Sequence, residues 1–237
     1  MDFLAILLTL LCYGLAGYLW WQYKTPMYLV ILLSGHLAAL ASPLWSLLYG
    51  VVYRSDLAIM TMLFNRPVFR TLFIASAWFY TLPALLVFYL YQARWWFPGY
   101  ITGLLTFAAF MLYHMLIEAL GLRANIWSYS SAASLPFVSS PFLSTLMAAL
   151  ISLALLYVLL VTYRYALPSM LVTLLPATLA ISLLIHGLLG APLWIALLLQ
   201  AQSWTISVGM ISTLALLAWA THILTQGLTQ ADQGLTV

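Results

Sequence analysis

The chain has 237 residues, 66% of them hydrophobic and only 5% charged, with seven Lys or Arg against four Asp or Glu and a formal net charge of +3. A typical soluble domain carries roughly 25% charged residues, so this composition excludes a soluble globular protein and defines an integral membrane protein. The cations Lys24, Arg54, Arg66, Arg70, Arg94, Arg123 and Arg164 fall in or beside the gaps between apolar runs, where they act as topology signals and headgroup contacts and exclude a nucleic-acid surface.

About 20 apolar residues are needed to cross ~30 Å of hydrocarbon. The first such run extends from Phe3 to Trp20 and is closed by an aromatic belt of Tyr18, Trp20, Trp21 and Tyr23. Its start lacks the basic segment of a secretory signal, and no small-residue cleavage site precedes Trp20, so it is read as a retained helix. It holds the single cysteine, Cys12, which makes an intrachain disulfide impossible. Further spans are expected at Met27 to Val52, Thr71 to Tyr91, Gly99 to Leu122, Phe142 to Tyr163 and Met170 to Leu189. The last apolar stretch, Pro192 to Leu224, is too long for one untilted span; its first third reads as a tilted or interfacial lead-in and the rest as a seventh span.

Every apparent loop is shorter than about twenty residues, against the ~50 that a domain needs. The expected fold is therefore all-α, a single polytopic transmembrane bundle of about seven spans over residues 1–224, with a polar, mobile tail at 225–237. Seven spans put the N-terminus and the loops around residues 53–70, 123–140 and 190 on one side. That side carries Arg54, Arg66, Arg70 and Arg123 and the other Lys24, Arg94 and Arg164. Three cations in one short loop favour a cytoplasmic N-terminus for a multi-pass protein of the cell membrane.

Glu118 is the only carboxylate inside the long apolar runs, one helical turn after His114. A spacing of four puts both side chains on one helix face, and an ionisable group within a membrane span is by default a functional-site hypothesis. Glu118 also falls in the last turn of its span, where the negative end of the helix dipole disfavours an anion, which makes it a plausible acid. Counting depth at ~1.5 Å per residue brings further polar groups into the same leaflet: Ser42, Ser46, Tyr49 and Tyr53 on the second span, and Thr178, Ser182 and His186 on the sixth. Ser76, Trp78 and Tyr80 descend from that side on the third span, and Trp127, Ser128 and Tyr129 lie in the loop beyond Glu118. Together they can enclose one polar pocket, with Trp45 beside Ser42. Each also has a purely structural reading: Glu118 can reach toward water or pair with Arg123, His114 and His186 can be hydrogen-bonded interior histidines, and Ser/Thr stripes commonly glue membrane helices together. Trp127 and Tyr129 can be ordinary aromatic-belt residues.

Absences remove several chemistries. No lysine lies within a span, which excludes a retinal Schiff base, and no Gly-rich phosphate loop, Cys-x-x-Cys or His-Glu-x-x-His occurs. Haem ligation stays open, through His114 and His186 among the four histidines His36, His114, His186 and His222.

Asn65-Arg-Pro-Val-Phe69, Ala77-Trp-Phe-Tyr80, the lone Glu118, and Ile126-Trp-Ser-Tyr129 followed by Leu135-Pro-Phe137 resemble the order of features in the AveC-type spirocyclase-like membrane proteins, and distantly the small membrane carotenoid cyclases and hydratases. The resemblance covers roughly residues 30–165. That family tends to carry an acidic residue beside the proline of the second helix, where this chain has Ser42 before Pro43. The resemblance implies a membrane-embedded enzyme that cyclises, hydrates or dehydrates a lipophilic polyketide or isoprenoid. In that scheme Glu118, His114 and His186 are the candidate catalytic groups. Ser42, Trp45, Tyr49, Trp78, Tyr80, Trp127, Tyr129 and Ser182 are the candidate substrate contacts, the aromatic faces serving a developing carbocation. No cofactor and no metal is required; the expected partners are membrane lipid and a lipophilic small molecule, no nucleic acid, with a partner in a membrane complex left open. The competing readings are a non-catalytic membrane subunit or a pigment- or lipid-binding scaffold, and less favoured, a haem-binding subunit.

Overall fold

The computed structural model describes residues 2–130, 138–165, 168–199 and 202–233. Among these, seven helical stretches are long and apolar enough to cross a membrane: Phe3–Tyr23, Met27–Tyr49, Arg70–Gln92, Tyr100–Arg123, Ser140–Tyr165, Leu171–Leu189 and Ser203–Gln230. The protein is a helical, polytopic membrane protein.

Three spans depart from a continuous α-helix, two of them at a proline. The second consists of α2 (Met27–Ala38), a 3₁₀ turn (Ala39–Ala41) and α3 (Ser42–Tyr49); Pro43 lacks an N–H and crowds the carbonyl four residues back, which tightens the turn ahead of it. The third is split at Tyr80 into α4 (Arg70–Phe79) and α5 (Thr81–Gln92) by Pro83 in the same way, and the Thr81 hydroxyl returns a hydrogen bond to the Ala77 carbonyl. The sixth begins as α8 (Pro168–Ser182) and ends in a π-helical stretch, Leu183–Leu189. A π turn frees carbonyls that cannot be left bare inside a membrane. Here the Tyr49 hydroxyl donates to the His186 carbonyl at 2.6 Å and the Trp194 indole to that of Gly187 at 2.7 Å. The unbroken spans are α1 (Asp2–Tyr23), α6 (Tyr100–Arg123), α7 (Ser140–Tyr165) and α10 (Ser203–Gln233). The stretch expected as a lead-in is a short helix, α9 (Ala191–Leu198), packed on α10.

The most buried span is α7, which packs on α5, α6, α8 and α10, while α2 packs on α1, α4 and α8. Lipid tails are as apolar as leucine, so helix association here rests on close packing and interhelical hydrogen bonds. Gly35 supplies the first: a Cβ there would stand 2.6 Å from the Ser76 carbonyl oxygen and 2.8 Å from that of Ala77, so α2 and α4 meet backbone to backbone. Ser34 and Thr178 supply the second, with Oγ to Oγ1 at 2.8 Å and the Thr178 N–H donating to Ser34 Oγ at 3.0 Å.

The tail expected from residue 225 is helical as far as Gln233, because Thr225 and Leu228 are buried and pack where Gly103 of α6 leaves room. Residues 234–237 of that tail, and the Leu135-Pro-Phe137 stretch, lie outside the described residues. The second span stops at Tyr49, short of the expected Val52, because Gly50 takes a left-handed conformation (φ 65°) and turns the chain into an extended strand.

Two connections on the N-terminal side are ordered as antiparallel ribbons. β2 (Ile59–Leu63) and β3 (Arg66–Phe69) form a hairpin closed by Phe64 and Asn65, both at positive φ as a type I′ turn requires. β1 (Val51–Tyr53) pairs with β4 (Trp127–Tyr129) in the register Val51 to Tyr129, Val52 to Ser128 and Tyr53 to Trp127. This second pairing joins the loop after the second span to the loop after the fourth.

Candidate functional site

The site is built from the end of α6. Asn125 adopts a left-handed conformation (φ 52°) and the Ile126 N–H donates to the Gly121 carbonyl at 3.0 Å, a Schellman closure that satisfies an end carbonyl and folds the chain back over the helix. Trp127 therefore lands on α6, with its six-membered ring against Gly121. Alternation along the β1–β4 ribbon turns Val51, Tyr53, Trp127 and Tyr129 to one face and exposes Val52 and Ser128 on the other.

The inward face meets Glu118, which is only 5% exposed. The Trp127 indole N–H donates to its Oε1 at 3.0 Å and the Tyr129 hydroxyl to the same oxygen at 2.7 Å, with Ser144 of α7 also at the carboxyl. Trp127 and Tyr129 thus converge on one oxygen, Oε1. Burial, and then the nearby Glu118, raise the Tyr129 phenol above the usual tyrosine range, and burial with Tyr80 and Glu118 does the same for Tyr53. Both stay protonated across the physiological range, so Tyr129 remains a donor. Arg123 is exposed and no ion pair joins it to Glu118; Arg54 pairs with Asp56, outside the spans.

Glu118 lies in the wall of a cavity of about 560 Å³, within the range of ligand pockets, roughly 300–1,000 Å³. Its walls are mainly apolar and come from α1, the second to sixth spans and the β1–β4 ribbon. Of the residues named from sequence, Glu118, His186, Ser42, Trp45, Trp78, Tyr80, Trp127 and Tyr129 line it. His186 stacks on Trp45 with ring centroids 4.3 Å apart, and its Nδ1 is 3.3 Å from the Ser182 carbonyl oxygen. Two polar atoms of the lining, Ser42 Oγ and Trp78 Nε1, are buried with no hydrogen-bond partner among the described residues. Buried donors are almost always paired, so these two fit a ligand that brings its own acceptors.

Three sequence-named residues stand elsewhere. His114 is not in the lining: its Nε2 lies 2.9 Å from Ser152 Oγ on α7, whose own proton goes to the Tyr80 carbonyl at 2.8 Å, and the ring is enclosed by Phe79, Tyr80 and Tyr113. Sharing a helix face with Glu118 does not make the two partners, because the α6–α7 seam offers His114 a closer one. Tyr49 caps the His186 carbonyl and borders a smaller adjoining cavity of about 40 Å³. Ser182 lies beside Tyr80 without hydrogen-bond geometry and outside the lining. Sequence reasoning missed Cys12, Val51, Tyr113 and Ser144 as lining residues; only the one-turn spacing of Ser144 after Ser140 hinted at its place.

The four histidines occupy separate surroundings. His36 contacts the Phe73 carbonyl at 2.7 Å and His222 the Tyr100 hydroxyl at 3.0 Å, while only His186 lines the main cavity.

The fold and this site define a multi-pass helical membrane protein with a ligand-sized cavity and a buried carboxyl group in its wall. Comparison with protein-family models, with curated proteins and with solved structures finds no match.

Proposed function

We propose that the protein is a membrane-embedded, cofactor-independent acid–base enzyme acting on a lipophilic isoprenoid or polyketide, with Glu118 as the proton donor. The observation that carries this is the convergence of Trp127 and Tyr129 on Oε1 of a buried carboxyl in the cavity wall. Two donors on Oε1 fix the orientation of the carboxyl group and favour the proton on its other oxygen. Protonation of a substrate hydroxyl releases water and leaves a cation; protonation of a double bond leaves a cation directly. Trp78, Tyr80, Trp127 and Tyr129 line the cavity in which that charge would develop, and a cation–π contact with a ring face stabilises a cation by about 0.5–2 kcal/mol. Ring closure by an internal double bond or hydroxyl and return of a proton to the Glu118 carboxylate restores the acid and completes an isomerisation or dehydration with no change of redox state. The placement of His114 in the α6–α7 seam supports a positioning role through Tyr80 rather than proton transfer.

Glu118→Gln tests this cleanly, because the amide oxygen still accepts from Trp127 and Tyr129 while the acidic proton is gone. Lipophilic extracts of membranes holding wild type or variant are compared by mass spectrometry. The expected result is a product, differing from its precursor by cyclisation or by one water, that falls ~10²–10⁴-fold in the variant, the usual range of general acid catalysis. Equal product from a folded variant refutes the mechanism. The lack of a second carboxylate in the lining favours one other reading, a lipid- or pigment-binding protein. In that case the same molecule co-purifies unchanged with both forms, at lower occupancy in the variant.

A further inference from the structure

We propose that the cavity is loaded sideways from the lipid phase, through a portal between α1 and α6, by a single-chain amphipathic lipid whose oxygen-bearing end seats at Glu118. This rests on the reading of Glu118 as the polar centre of a ligand cavity. Among the described residues, three lining positions are also exposed: Leu4 at 56%, Leu8 at 37% and Leu120 at 53%. A side chain that both lines a cavity and faces outward stands at its mouth, and all three belong to the first half of α1 or the last turns of α6. These helices are held by different neighbours, α1 by α2 and α4 and α6 by α7 and α10, with little direct contact between them.

The depth of the mouth selects what passes. At ~1.5 Å per residue, Leu4 and Leu8 lie ~3 and ~9 Å along α1 from Asp2, and Leu120 is one turn before Arg123, so the opening faces the acyl-chain region of the N-terminal leaflet. Val51, Tyr53, Trp127 and Tyr129 of the β1–β4 ribbon form another part of the wall. A rim of leucines offers nothing to an ion or a sugar and accepts hydrocarbon without a desolvation cost. The polar groups of the lining include Glu118, Ser42 and Trp78. A molecule with one polar end and a flexible apolar body matches both features: the head lies against the carboxyl and the tail lies in or across the portal.

The test uses the full-length protein in phosphatidylcholine vesicles and a fluorescent polyene fatty alcohol, whose arrival is followed by energy transfer from tryptophan. Leu8→Trp with Leu120→Trp narrows the mouth and is expected to slow both association and release by about tenfold, within the span of on-rates seen among variants of one complex. Leu8→Ala with Leu120→Ala widens it and is expected to speed both. Leu112→Trp with Leu116→Trp places the same bulk on exposed positions of α6 outside the lining and is expected to change neither. Glu118→Gln is expected to act on release, by loosening the seated head. Unchanged rates in the widened pair, or in a folded narrowed pair, overturn the portal while leaving the acid intact. Absence of binding to wild type overturns the ligand cavity itself, and the portal with it.

Discussion

Gly121→Ala adds a methyl group to α6 where the ring of Trp127 now rests. The new Cβ would stand 2.6 Å from Cε2 and closer still to Cζ2 and Cη2, so the indole must lift away. In an unobstructed helix interior this substitution gains roughly 1 kcal/mol from propensity. Here overpacking costs about 1–3 kcal/mol, and an indole displaced from Glu118 Oε1 loses a hydrogen bond worth about 0.5–1.5 kcal/mol net. The balance is a destabilisation of roughly 1–3 kcal/mol, which at about 2–4 °C per kcal/mol for a chain of this size lowers Tm by several degrees. Thermal unfolding in mild detergent, followed by near-ultraviolet circular dichroism, measures it. The same substitution made in a Trp127→Ala background meets no ring and is expected to be neutral or stabilising. The sign change between the two backgrounds is the signature of this contact. A Gly121→Ala protein more stable than wild type in both backgrounds would show that Trp127 does not pack on α6, and the closure of the site over Glu118 would fail with it.

Tyr129→Phe removes the 2.7 Å hydrogen bond to Oε1 and leaves that of Trp127. A loss of about 0.5–1.5 kcal/mol is expected for a neutral acid, and about 1.5–3 for a carboxylate. Infrared spectroscopy checks the same contact: the carbonyl band of the Glu118 acid should move to higher frequency, and an unmoved band counts against the contact. Gly35→Ala sets a methyl group against backbone on the facing helix, which cannot swing aside. It is expected to cost about 2–3 kcal/mol as an overpacked contact and to disturb the 2.7 Å approach of His36 to the Phe73 carbonyl; unfolding as in wild type would refute the close approach of α2 and α4.

The reach of the sequence differed from element to element. The seven spans were legible because a membrane demands a fixed length of apolar residues and the cations gather at the gaps. Glu118 was legible for the same reason, as a carboxylate that hydrocarbon would not tolerate without a role. The helix breaks could be suspected at Pro43 and Pro83, but the π stretch at Leu183–Leu189 had no signal, since its stability comes from Tyr49 and Trp194 capping the freed carbonyls. Eight of the eleven candidate site residues line the cavity and His114, Tyr49 and Ser182 do not, because depth says nothing about which way round its axis a helix presents a side chain.

The sequence by itself determined that this is a membrane protein of about seven helices with one costly carboxyl group in a leaflet, because burial of charge and the thickness of a bilayer are constraints on every residue taken singly. The tertiary structure alone decided what that carboxyl group meets. The local closure after α6 brings Trp127 back over that helix, but the ribbon that carries Tyr129 forms because β4 finds β1, some 75 residues earlier in the chain, and His114 meets Ser152 because α7 stands beside α6. Such pairings depend on which helices become neighbours, a property of the packed bundle that no single segment encodes.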